Sequence, residues 1–180
     1  DCDLEKAVAG AVAGMRFTRQ GQSCTASSRI FVQRSIREAF VEKLKAAVDA
    51  MTMGDPLDEA TDIGAIVSQS QFDKVRGFIA EAEQDSGMTP IPCSALPDDA
   101  ALKDGFFVRP VIVTGAKNES RICREEIFGP VTAVIDFDAF EDALEQANDS
   151  DYGLAATVWT TNLKIAMDAA RRLEAGFGQV

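Results

Sequence analysis

The sequence predicts an α/β protein: a mainly parallel, twisted sheet with helices on both faces. Three observations carry that prediction. Short β-prone runs alternate with segments of helical period, as successive βαβ units require. The runs Val111-Ile112-Val113 and Ala155-Ala156-Thr157-Val158-Trp159 are almost continuously apolar, the pattern of strands covered on both faces. The chain's 180 residues, 46% hydrophobic and 26% charged, have the composition of a folded globule with a real core.

Apolar side chains at Leu4, Val8, Ala11, Val12 and Met15 give residues 3–15 a helical period. The small run over 8–14 suits a helix packed closely on several sides. Residues 18–28 are small, polar and aperiodic, a loop, and 29–33 is a short strand. Ser35 and Glu38 form an S-x-x-E capping box ahead of a helix with the stripe Ile36, Phe40, Leu44, Ala47, Val48 and Met51. A further helix spans about 69–85, with Phe72, Val75, Ile79 and Ala82 inward and Gly87 as its stop. Residues 88–105 carry three prolines and several acids and read as a surface excursion. Strands follow at 107–113, 131–137 and 154–160. Between the last two lies a helix begun by Asp138 and carrying Phe140, Leu144 and Ala147. Asn162 caps a final helix with Leu163, Ala166, Met167, Ala170 and Leu173, closed by Gly176, and a strand begins at Gly178-Gln179-Val180.

Charge and composition exclude several functions. The balance of 18 basic and 29 acidic side chains, a net charge of −11, argues against a nucleic-acid binder. There is no histidine, which removes Ser-His-Asp and Cys-His pairs, His-based zinc sites and an imidazole base within this chain. The cysteines at 2, 24, 93 and 123 contain no C-x-x-C, so neither a metal site nor a disulfide framework is expected; reduced thiols in a cytoplasmic protein are. No basic start with an apolar run marks a signal peptide, and no stretch approaches a membrane span. The chain begins without Met and stops in mid-pattern, as a piece of a longer protein would.

Three stretches could carry chemistry. Gly21-Gln22-Ser23-Cys24-Thr25-Ala26 sets one cysteine among small residues between a helix and a strand. Small neighbours let backbone N–H groups approach a bound group, and a thiolate there could attack a carbonyl. A small core hydrophobe is the commoner role of a free cysteine, and composition alone favours it. Glu125-Glu126-Ile127-Phe128-Gly129-Pro130 precedes a strand. A carboxylate there could accept hydrogen bonds from sugar hydroxyls, as acids do in dinucleotide sites, although spacing alone favours an exposed helix end. Asn148-Asp149-Ser150-Asp151-Tyr152-Gly153-Leu154 is turn chemistry by local rules.

Taken together, these stretches resemble the aldehyde dehydrogenase superfamily. Residues 21–29 resemble its catalytic-cysteine signature, 125–130 its cofactor-ribose motif, and 148–154 and Leu173-Glu174-Ala175-Gly176 its next two landmarks. The resemblance covers essentially the whole chain in order. It implies that Cys24 is the nucleophile, forming a thiohemiacetal and then a thioester while hydride passes to NAD or NADP. It implies that Glu126 holds the nicotinamide ribose with Phe128 beside it, that the Cys24 N–H supplies half an oxyanion hole, and that Phe17, Ser23 and Thr25 line the aldehyde pocket. It further implies a single catalytic domain over 1–180. The family's upstream oxyanion asparagine, its thioester-hydrolysing glutamate, the cofactor-binding domain and the C-terminal end lie outside this sequence. The expected parent is a homo-oligomer, dimer or tetramer, acting on a small aldehyde without nucleic-acid or membrane partners. A CoA-acylating enzyme and a non-catalytic oligomerisation module are the alternatives; the 21–26 stretch and Glu126 favour hydrolysis.

Overall fold

The computed structural model describes residues 1–179. In order, the elements are α1 (Leu4–Met15), β1 (Arg29–Gln33), α2 (Arg37–Asp49), α3 (Gln69–Gln84), β2 (Thr89–Pro92), β3 (Val111–Thr114), α4 (Arg121–Arg124), β4 (Val131–Phe137), α5 (Phe140–Asn148), β5 (Ala155–Thr157), α6 (Leu163–Arg172) and β6 (Phe177–Gln179). Four strands form one sheet in the order β1-β4-β3-β2. The β1–β4 and β3–β4 pairs are parallel and β2 runs antiparallel at the edge. β5 and β6 make a separate parallel pair.

Side chains alternate between the two faces of the sheet, and each face is covered by helices. Val111 and Val113 of β3 and Val131, Ala133 and Ile135 of β4 meet Val75, Phe78 and Ala82 of α3. On the other face Val32, Ile112 and Val134 meet Val8 and Met15 of α1 and Phe40, Leu44 and Val48 of α2. This two-sided burial is why Val111-Ile112-Val113 of β3 reads as a continuous apolar run.

Several expectations change. The Ser35–Glu38 capping box does not form: a 3₁₀ turn over Arg34–Ile36 intervenes, and α2 starts at Arg37 with no side-chain cap. Asp138 does not cap α5, because its carboxylate pairs with Arg34. The excursion over 88–105 contains β2, where an outer edge tolerates the missing N–H groups of Pro90 and Pro92. The strand expected at 107–113 is displaced to Val111–Thr114. The one expected at 154–160 shrinks to the exposed β5, with no cover on both faces. Phe72 and Ile79 pack half-buried against the core as expected, and Phe78, which the period did not single out, is the fully buried aromatic of α3. In α6 only Ala169 is buried, while Leu163 and Met167 of its apolar stripe face outward. Asn162 does cap α6, accepting from the N–H groups of Lys164 and Ile165. Val180 lies outside the described residues, none of whose helices is long and apolar enough to cross a membrane.

Candidate functional site

The Cys24 loop hangs between α1 and β1 and is fastened at three places. Ser27 N–H donates to Gly14 O at 3.1 Å, and a Cβ on Gly14 would stand 2.9 Å from Ser27 Oγ. The α1 glycine therefore serves close approach of the loop. Fully buried Thr132 of β4 donates its hydroxyl to Ser27 O at 3.1 Å and Ser28 O at 3.3 Å. At the loop's start Gly21 has φ +65°, and a Cβ there would lie 2.1 Å from Gly129 O. Only glycine meets both demands.

Cys24 sits at the tip of this loop. Ala26 N–H donates to Ser23 O at 3.0 Å, closing a four-residue turn with Cys24 and Thr25 at its centre. The thiol is exposed, and among the described residues the Cys24 N–H has no hydrogen-bond partner. Neither the thiol nor this N–H is committed to another group among these residues. Ser23 and Thr25 flank it, their hydroxyls 3.2 Å apart. Phe17, by contrast, is 1% exposed and packs in the core with residues of α1 and α2. The other thiols differ. Cys93 and Cys123 are buried, which pushes each thiol up to about 11, and Cys2 is half-buried.

The second motif separates its two carboxylates. Arg121 grips Glu125 with two hydrogen bonds of 2.8 and 3.1 Å, holding that carboxyl below its ordinary value. Glu126 is exposed, and its carboxylate has no hydrogen-bond or ion-pair partner among the described residues. Its backbone is held instead: Glu126 N–H donates to Tyr152 Oη at 3.3 Å, and Lys74 Nζ donates to Glu126 O at 2.6 Å. Gln71 Nε2 donates to both Ile127 O and Phe128 O at 2.8 Å. Half-buried Phe128 is left-handed, at φ 56°, and its turn delivers the Gly129 carbonyl to Gly21. The two loops therefore meet, at the amino ends of the adjacent parallel strands β1 and β4. Open α/β sheets more often take ligands at the carboxyl ends.

A polar network braces this junction. Arg29, five residues after Cys24, is half-buried, and that burial lowers its pKa. Its guanidinium donates to Asn118 Oδ1 at 2.8 Å and to Gln146 O and Ala147 O at 3.1 Å each, capping the negative end of α5. Thr132, Gln71, Lys74, Asp149 and Tyr152 hold the two loops through contacts that local sequence rules miss, because each acts across a long sequence separation. No group of Cys, Asp and Glu is placed to hold a metal ion among the described residues. A surface concavity lined by Val12, Arg16, Thr18, Arg19 and Ala47 lies beside α1 and includes neither Cys24 nor Glu126.

Known proteins share this fold. Betaine aldehyde dehydrogenase from Staphylococcus aureus, solved in complex with NAD+, superposes with a TM-score of 0.92 at 36% identity, over 99% of this chain and 35% of that one. A betaine aldehyde dehydrogenase of Rhizobium johnstonii is 40% identical over 176 residues, 98% of this chain and 36% of the relative. 4-Trimethylaminobutyraldehyde dehydrogenase A of Danio rerio is 39% identical over 179 residues, 98% of this chain and 35% of the relative. The fold is thus that of an oxidoreductase catalytic domain. The model of the aldehyde dehydrogenase family matches residues 1–180, and the chain belongs to that family. It spans little more than a third of these relatives' length.

Proposed function

We propose that this chain is the cysteine-bearing catalytic domain of an NAD(P)-dependent aldehyde dehydrogenase, with Cys24 as nucleophile and Glu126 as the ribose-holding carboxylate. The observation that supports the reading is the close approach of the two loops at Gly21 and Gly129, one loop carrying the exposed Cys24 and the other the unpaired Glu126 carboxylate.

Cys24 as thiolate attacks the aldehyde carbon. A C–S bond forms, the carbonyl π pair moves to oxygen, and the free Cys24 N–H donates to that oxyanion. The second donor comes from sequence outside this chain. When bound, the nicotinamide supplies a hydride acceptor for the thiohemiacetal carbon. The Cys24 sulfur then carries a thioester, and water adding to its carbonyl expels the thiolate and leaves the carboxylic acid. Glu126 fits a ribose diol because its carboxylate is acceptor-only and occupied by no other side chain. Phe128, two residues on, would pack beside that sugar. Ser23 and Thr25 flank the path of the aldehyde, while Phe17 stays in the core. The rest of the cofactor site and the base that activates water belong to the parent's other segments. The parent acts on a small aldehyde as a homo-oligomer, dimer or tetramer.

The test is a steady-state assay of the full-length protein with NAD+ and NADP+. The aldehyde panel includes betaine aldehyde and 4-trimethylaminobutyraldehyde, chosen from the relatives' names, with carboxylic acid and acyl-CoA measured as products. Aldehyde-dependent cofactor reduction yielding the free acid is expected. Acyl-CoA formation would replace hydrolysis with thioester transfer, and no reduction with any aldehyde would refute the reading.

A further inference from the structure

The turn between α5 and β5 has no role in the chemistry above, yet it is tied to the ribose motif more firmly than turn geometry requires. Asp149 accepts from both terminal nitrogens of Arg124, the residue two before Glu126, and Arg124 Nη1 also donates to Asp149 O at 2.7 Å. Buried Asn118 donates to Asp149 O at 3.2 Å while accepting from Arg29 on the strand that leaves the Cys24 loop. Asn148 fixes the turn from behind, donating to Arg172 O at 2.8 Å and accepting from Glu174 N–H at 3.0 Å. On this anchored base stands Tyr152, the chain's single tyrosine. Its side chain belongs to neither core cluster and is 58% exposed, so packing does not account for its place. Its hydroxyl accepts the N–H of Glu126.

We infer that Tyr152 is a positioning residue for Glu126, fixing the peptide that carries the carboxylate, and that Asp149 sets the turn's register through Arg124. With Tyr152 on its N–H and Lys74 on its C=O, both peptide units flanking the Glu126 Cα are held. The carboxylate is left only its side-chain torsions, so less freedom is lost when a diol binds. This inference rests on the reading of Glu126 as the ribose-holding residue.

The experiment uses the full-length protein with Tyr152→Phe, Asp149→Asn and Glu126→Gln. Tyr152→Phe keeps the ring and removes the acceptor. Its cofactor KM should rise about 3- to 10-fold, with kcat and the aldehyde KM within about twofold of wild type. Asp149→Asn should move the same parameter in the same direction. In the double variant Glu126→Gln/Tyr152→Phe, the tyrosine change should add nothing, since its effect runs through the missing carboxylate. A raised cofactor KM for Glu126→Gln beside an unchanged one for Tyr152→Phe overturns the inference and leaves the function standing. Additive effects in the double variant also overturn it. An unchanged cofactor KM for Glu126→Gln overturns the reading of Glu126 itself.

Discussion

Gly21→Ala tests whether the junction of the two loops is required. An alanine Cβ would lie 2.1 Å from Gly129 O, 2.6 Å from Gly129 C and 3.0 Å from Met15 Cε. Comfortable non-bonded separations begin at about 3.5 Å, so the loops must part by about 1.4 Å. The left-handed backbone, at φ +65°, adds its own penalty. Together they amount to about 2–5 kcal/mol, from the steric cost of left-handed alanine and from overpacking. A displacement of about 1 Å at a catalytic group can lower turnover about 100-fold. Gly77→Ala is the control. Gly77 lies within α3, and a Cβ there meets nothing within 4 Å, so this change should stabilise by about 0.5–1 kcal/mol. Both variants are made in the full-length protein and measured by thermal unfolding and by kcat/KM. If Gly21→Ala keeps stability and kcat/KM within about twofold of wild type, close approach of the loops is not what builds the site.

Three further predictions concern thiols, the loop and acid. Under native conditions near pH 8, iodoacetamide should alkylate exposed Cys24 first, Cys2 next, and Cys93 and Cys123 last; peptide mapping reads the order. The two buried thiols, pushed up to about 11, stay protonated at that pH, and their labelling should rise only as pH approaches 11 or the protein unfolds. Thr132→Val keeps the side chain's shape but leaves Ser27 O without its side-chain donor; a loss of about 1–2 kcal/mol in thermal unfolding and slower turnover are expected. Asp138, Asp149, Glu125 and Glu141 are each held below the ordinary carboxylate value by a hydrogen-bonded arginine. Their contributions are therefore fully present above that value, and thermal stability should fall as pH drops from about 4 towards 2.

The parallel core was legible at β3, whose burial on both faces is recorded directly in its composition; the same reading of 155–159 failed, because β5 is exposed. α3 was legible through its period. β2 was not, since Pro90 and Pro92 argue against a strand unless an unpaired outer edge is known to accept them. The α6 stripe pointed inward on paper, yet Leu163 and Met167 face outward, because a period reports that a helix has an apolar side and not what covers it. Ser35 shows the limit of a capping pattern where a preceding 3₁₀ turn takes up the same backbone. At the site, Cys24 and Glu126 stood out only as members of motifs in register; local rules favoured ordinary roles for both. The contacts that distinguish Glu126 from Glu125 come from Arg121, Lys74 and Tyr152, and no local spacing encodes them.

The central claim is that the Cys24 sulfur bonds to the aldehyde carbon. Acid quench of the full-length protein during turnover with aldehyde and cofactor, followed by peptide mass spectrometry, tests it most directly. An acyl group on the peptide containing Cys24, and its disappearance together with turnover in Cys24→Ser, is the predicted result. Acyl transfer to Cys2, Cys93 or Cys123, or undiminished turnover in Cys24→Ser, would contradict the account.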